Sequence, residues 1–209
     1  MKATDILPGL GRTYAAAAAY RDVGRVIFPH RGATIGEFRT AFIRSKGFRF
    51  EYRETSSSGQ MRDRSSRRTC SIRVERGRLV DVSGFESSRE SIGLAVASMT
   101  GITFGAAHNV LRLLLPNEIP GRALSEAPSA GLVRTFIVEG DTCFAMRLKE
   151  WSAEEIIVDE EFVLRRVDGV GRSISRRPTT GVGESRLSQV LVYEPELFAK
   201  EPRDLTLDW

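Results

Sequence analysis

Groups able to carry proton chemistry are few and scattered in this chain. Only two histidines occur in 209 residues. His30 sits between Pro29 and Arg31-Gly32 and reads as a loop residue, and His108 lies near the start of a Leu-rich helix. No spacing sets either beside a nucleophile, so His108 reads as a capping or surface residue and not as a catalytic base. Carboxylates gather at Glu150, Glu154, Glu155, Asp159, Glu160 and Glu161. Their clustering reads as a solvated hairpin face, not as a paired general acid and base. Cys70 and Cys143 both fall in expected strands and read as buried thiols, with a disulfide as the alternative. No CxxC or HxxxH spacing is present, so a zinc site is not expected. The chain also lacks a GxxxxGK[ST] loop and a GxSxG elbow. Gly169/Gly171 and Gly181/Gly183 each lack the third glycine of a dinucleotide fingerprint. The expectation is a protein without catalysis, metal or cofactor.

Arginine is the next candidate. Of the 31 basic residues 27 are Arg, the lysines being Lys2, Lys46, Lys149 and Lys200. Arg62, Arg64, Arg67, Arg68, Arg73, Arg76 and Arg78 crowd one stretch beside the aromatics Phe48, Phe50 and Tyr52. A nucleic-acid platform needs rings and cations on one face. Here rings and arginines alternate along the strand and point to opposite faces, so nucleic acid is not the expected partner. Anionic headgroups at a membrane surface fit a loop-borne arginine cluster better.

The rings themselves are the main signal. Phe48, Phe50 and Tyr52 share one side of a strand, with Arg49, Glu51 and Arg53 on the other. Phe38, Thr40 and Phe42 repeat the pattern on the preceding strand. Bulky rings on one face require a cover, whether a helix, a second sheet or a ligand. Shared parity predicts that Phe38, Phe42, Phe48, Phe50 and Tyr52 face one interior.

The elements that position these rings follow from periodicity. A first helix is expected to start near Pro8, with Leu10, Tyr14, Ala17, Ala18 and Arg21 at helical spacing and Gly24 as its stop. Strands are expected at Arg25–Phe28, Thr34–Ile43, Phe48–Glu54, Arg68–Glu75 and Leu79–Ser83. Between them lie an exposed loop at Thr55–Ser66 and a tight turn at Arg76-Gly77. Ser87 and Glu90 read as a capping box. The helix after it carries Ile92, Ala95, Val96 and Met99 and closes at Gly101; another, Ala106–Leu115, ends at Pro116. These two helices are expected to pack across the sheet, burying Ile92, Val96, Met99, Leu111 and Leu114. Further strands are expected at Leu132–Val138, Thr142–Leu148, Glu154–Val158, Phe162–Val167, Arg172–Arg177 and Ser188–Tyr193. Strands do not alternate with helices, so the fold class is α+β with an antiparallel sheet of about 11 strands. No linker divides residues 1–209, which suit one domain. There is no apolar run long enough for a membrane span. Tyr14–Tyr20 is too short and too weakly apolar for a secretory signal.

The order of these pieces resembles the periplasmic lipoprotein-carrier superfamily, the LolA/LolB-like proteins. The pieces are Tyr20-Arg21-Asp22-Val23-Gly24, Phe38–Phe42, Phe48–Tyr52, Leu113-Leu114-Leu115-Pro116 and the hairpin Ile156–Arg166. The resemblance implies a β half-barrel whose concave face is covered by helices and binds acyl chains. It implies a lid-related arginine at Arg44, with Ser45 where those carriers have proline. It also implies an extracytoplasmic location. Phe38, Phe42, Phe48, Phe50, Tyr52, Ile92, Val96, Met99, Leu111 and Leu114 then become the candidate cavity, with Arg44 at a headgroup or lid. The implied partner is a lipid or a lipidated protein, with peripheral membrane contact. The alternative is a protein-binding sensor of the same fold with side chains filling the barrel.

Overall fold

Alternation of rings and charges builds the first half of the sheet. In the computed structural model β3 (Gly47–Glu54) turns Phe48, Phe50 and Tyr52 inward, and β2 (Ala33–Ile43) does the same with Phe38 and Phe42. The structure describes residues 2–29, 33–55, 69–84, 91–138, 140–149, 155–170 and 189–208. The other described elements are α1 (Ala3–Ala16), β1 (Ala19–Phe28), β4 (Thr69–Glu75), β5 (Arg78–Ser83), α2 (Ile92–Ile102) and α3 (Ala106–Leu114). There follow β6 (Ser129–Val138), β7 (Asp141–Leu148), β8 (Glu155–Asp159), β9 (Leu164–Val170) and β10 (Gln189–Phe198).

All ten described strands join one antiparallel sheet in the order β5-β4-β3-β2-β1-β10-β9-β8-β7-β6. The chain starts in the middle, meanders to one edge at β5, crosses to the other edge at β6 and meanders back. The N-terminal strand β1 therefore pairs with the C-terminal strand β10, Ala19 opposite Phe198. The crossover between the two edges carries α2 and α3 over one face of the sheet. A flat ten-stranded sheet would be about 43 Å wide at the usual strand spacing. Yet α2 touches β4 and β5 near one edge, α1 touches β6 at the other, and α3 touches both helices. Three neighbouring helices span only about 20 Å. The sheet must curl around them, which gives the antiparallel α+β fold that the element order implies, as a half-barrel with helices on its concave face, the shape that the family resemblance implies.

The main core lies between helices and sheet. Leu10 and Tyr14 of α1, Val96 and Met99 of α2, and Leu111 and Leu114 of α3 are all buried against the inward-facing strand residues. On the outer face the C-terminal segment, residues 199–208, lies as a strap: Leu205 and Leu207 pack on Ala19, Ala41 and Ile43.

Three expectations need correction. The first helix runs from Ala3, with Pro8 inside it, to Ala16, and Tyr20-Arg21-Asp22-Val23-Gly24 belongs to β1. High helix propensity in the alanine run yields to the alternation of inward Tyr20 and Val26 with outward Arg21 and Arg25. Gly24 is not a stop; a Cβ there would lie 2.1 Å from Phe38 Cζ, so glycine is what lets that ring cross β1. Gly101 lies inside α2, whose N-cap is Ser91, its hydroxyl accepting from Leu94 N at 3.1 Å. The Ser87/Glu90 box, the strand Arg172–Arg177, His30 and positions 56–68 of the arginine-rich loop lie outside the described residues. The tight turn is as expected: Arg76 and Gly77 both take positive φ, 48° and 71°, the two-residue connection that suits a right-twisted hairpin.

Candidate functional site

Register places the rings in rows. Across β2 and β3, Phe38 faces Tyr52, Thr40 faces Phe50 and Phe42 faces Phe48. Phe38 and Phe50 stack at 6.0 Å between centroids, and Tyr193 of β10 meets Phe38 edge-on at 5.2 Å. All five predicted rings are at most 3% exposed. Of the predicted helix residues, Val96, Met99, Leu111 and Leu114 are buried on the same core, while Ile92 is only partly buried at its margin. Sequence parity thus brings the candidate cavity residues together. In this closed arrangement helix side chains pack over them.

Arg44 stands at the end of this row, just past β2. Its guanidinium donates to Ala17 O at 2.8 Å, Tyr14 O at 3.3 Å and Leu114 O at 3.5 Å. These carbonyls belong to the C-terminal ends of α1 and α3, where a cation also meets the favourable end of the helix dipole. The same guanidinium lies 5.1 Å over the Phe42 ring. One solvent-reachable side chain therefore clasps two helices to the sheet.

Beside this clasp opens a cleft of about 230 Å³. Phe42 and Phe48, at the ends of the aromatic rows, line it together with Val74 and Leu115. Arg44, Lys46 and Arg76 supply its cations, and Glu118 its carboxylate. Arg76 N donates to Lys46 O at 2.6 Å, which ties the β2–β3 and β4–β5 turns side by side. A broader, shallow groove of about 780 Å³ runs along the start of α2 and residues 116–121.

A second polar feature was not anticipated. Asp22 on β1 points into the core and is 4% exposed. Tyr20 donates its hydroxyl to Asp22 Oδ2 at 2.7 Å. Asp22 Oδ1 and Thr40 Oγ1, directly opposite in register, complete no well-formed hydrogen bond. Burial pushes the Asp22 carboxyl up to about 6, held back by the neighbouring Thr40 and Tyr20 hydroxyls. Tyr14 of α1 lies against Tyr20 at 5.6 Å and accepts a hydrogen bond from Leu164 N at 3.2 Å. Asn109 of α3 reaches the Tyr193 hydroxyl at 3.3 Å. Burial raises the pKa of Tyr14, Tyr20 and Tyr193, so each stays a neutral phenol. The signal available in the sequence was Asp22 at the inward parity of Tyr20 and Val26. Reading that stretch as helix hid it.

The remaining candidates resolve as structure. Both cysteines are free and buried. Cys70 lies in the main core, where burial pushes its thiol up to about 12, and Cys143 belongs to a separate cluster with Ala145 and Ile157. Neither is an activated thiolate. Asp159 corrects the reading of a solvated acidic face. It is 6% exposed and accepts from Glu161 N, Val163 N and Arg165 Nε, which shapes the β8–β9 turn. Glu155 pairs with Arg134, Glu160 and Glu161 are exposed, and Glu150 and Glu154 lie outside the described residues. His108 Nε2 is 3.0 Å from Pro120 O, a structural bond to the following loop. Among the described residues no cluster of His, Cys, Asp and Glu could hold a metal, and no helix is long and apolar enough to cross a membrane.

No protein-family model matches the chain. No curated protein matches it either. Among solved structures it is similar to the crystal structure of a LolA superfamily protein from Nitrosomonas europaea, at 11% identity and a TM-score of 0.30, over 99% of this chain and 96% of that one. That likeness is slight, and the fold rests on the strand order and register described above.

Proposed function

We propose that the protein is a non-enzymatic carrier or sensor that takes an apolar chain between its helices and the aromatic rows of the half-barrel. The observation that carries this reading is the position of Arg44. The aromatic rows end at a cleft, and at that point a single exposed side chain fastens both α1 and α3. Releasing three carbonyl contacts frees the helix ends over Phe42 without breaking the sheet. An entering chain would gain about 0.8 kcal/mol per buried methylene, set against the cost of moving the helices and ordering the ligand. Specific polar chemistry is not needed for such binding.

A second reading is supported by the packing. The five rings are at most 3% exposed, so side chains already fill much of the concave face. On that reading the molecule is an interaction module whose outer surfaces bind a protein. Displacement of a fluorescent long-chain probe separates the two. The carrier reading expects saturable binding in the wild type and faster probe entry in Arg44→Ala. Absence of saturable binding in both proteins rejects the ligand cavity and favours the interaction module.

A further inference from the structure

The cleft beside Arg44 carries more than an entrance. We infer that Lys46 and Arg76 form a headgroup site for a single-chain amphiphile with an anionic end, a carboxylate or a phosphate monoester. This rests on the carrier reading.

Three observations converge on it. The first is the lining: three cations and the residues that end the aromatic rows, Phe42 and Phe48, border one cleft of about 230 Å³. A charged head held at the rim would point its tail toward Phe42 and Phe48. The second is pairing. Arg73 close by is engaged by Glu75 and Asp208, and Arg49 by Glu51. Lys46 and Arg76 have no carboxylate within ion-pair distance among the described residues. Arg44 is committed to helix carbonyls. Two cations, joined through their backbones, are therefore free to meet an anion.

The third observation is the conformation of Arg76. It occupies the first turn position at φ 48°, where Gly, Asn or Asp is the ordinary choice and an arginine is strained. Gly77 provides the second left-handed residue of the turn. A strained residue whose side chain faces a cleft points to use of the side chain. The carboxylates nearby are Glu118 on the cleft itself, Glu75 and Asp208, which share an adjoining hollow with Lys46 and Arg76 but are paired with Arg73, and Glu201, which is held by Ser45 N at 3.2 Å and lies near Lys46. Glu118 disfavours an anion, so its removal should strengthen binding.

The test compares heads on one chain length by probe displacement: dodecanoate, dodecyl phosphate, neutral dodecanol and inorganic phosphate alone. Wild type is expected to bind the two anionic amphiphiles at least about tenfold more tightly than the alcohol. In Lys46→Gln/Arg76→Asn that preference is expected to fall to about twofold or less, with alcohol binding unchanged. Arg76→Asn alone is expected to melt at or above the wild-type Tm, because Asn-Gly suits this turn. That separates lost binding from lost folding. Equal affinity for acid and alcohol in wild type overturns the headgroup site and leaves the carrier reading standing, as does a preference that survives the double variant. Inorganic phosphate binding as tightly as the amphiphiles overturns it in favour of a bare anion site. Binding of none of the amphiphiles overturns both readings.

Discussion

Two of the polar points that fasten the helix layer to the sheet differ in almost every physical respect. At the rim, Arg44 holds the ends of α1 and α3 through backbone carbonyls, in reach of water. At the centre, Tyr14, Tyr20, Asp22 and Thr40 form a buried cluster between α1 and the sheet, with Tyr193 and Asn109 joining α3 to β10 nearby. The rim contact exchanges protein carbonyls for water at small net cost. The central cluster has no water to fall back on, and its one carboxyl must either stay protonated or carry a charge in the core. The difference teaches that opening at the rim is cheap, whereas the stability of the buried centre depends on the charge state of Asp22.

The largest effect should come from the centre. The Asp22 carboxyl is raised from 3.8 to about 6 in the folded protein, so the fold prefers the neutral acid. Its contribution is complete below about pH 4 and is lost as pH rises through about 6, an amount of about 3 kcal/mol. The groups facing it are Tyr20 from its own strand, Thr40 from β2, Tyr14 from α1 and Tyr193 from β10. None of these titrates in that window. Asp159, which lies near Tyr14, is held by Arg165 and two backbone donors. Denaturant unfolding of wild type should therefore show lower stability at pH 7 than at pH 4. Asp22→Asn, which keeps an acceptor for Tyr20, should flatten that dependence and exceed wild type at pH 7. An unchanged pH profile in the variant would place the titrating group elsewhere and remove the contrast between the two fastenings.

The rim should yield a smaller change. Arg44→Ala removes three hydrogen bonds and a ring contact from an exposed side chain, so about 1–2 kcal/mol of stability is expected to go. Arg44→Lys should recover only part, because a point charge cannot span carbonyls on two helices. Hydrogen exchange at the last turns of α1 and α3 would localise the loss. Faster exchange confined to those turns supports a rim clasp, and faster exchange throughout the core would mean that Arg44 holds the whole layer.

What the sequence disclosed divides along the same line. The ring rows were legible because strand parity is strict and Phe48, Phe50 and Tyr52 have no other reading. The Arg76-Gly77 turn and α3 were legible from local chemistry. Asp22 was not, because the alanine run beside it favours helix and only pairing with β2 and β10 decides for strand. Arg44 was singled out through a family resemblance, but its partners are carbonyls, which no side-chain pattern announces. The strap formed by Leu205 and Leu207 was equally hidden, since a short irregular segment has no period to read.

The smallest effect should come from the outer face, which serves as the control for both fastenings. Arg21 lies opposite Glu196 across β1 and β10, bonded at 2.7 Å, with the two side chains 45% and 52% exposed. Arg21 points away from the helices while its neighbours Tyr20 and Asp22 point toward them, so one strand carries both the test and its control. An exposed pair of this kind is screened by salt and loses side-chain entropy when it forms. Arg21→Gln should therefore leave the unfolding midpoint unchanged within error at pH 4 and at pH 7. Probe entry should also be unaffected. A clear loss of stability, or a change in the pH profile, would show that charge on the convex face is coupled through β1 to the buried carboxyl. The separation drawn between inner and outer electrostatics would then fail.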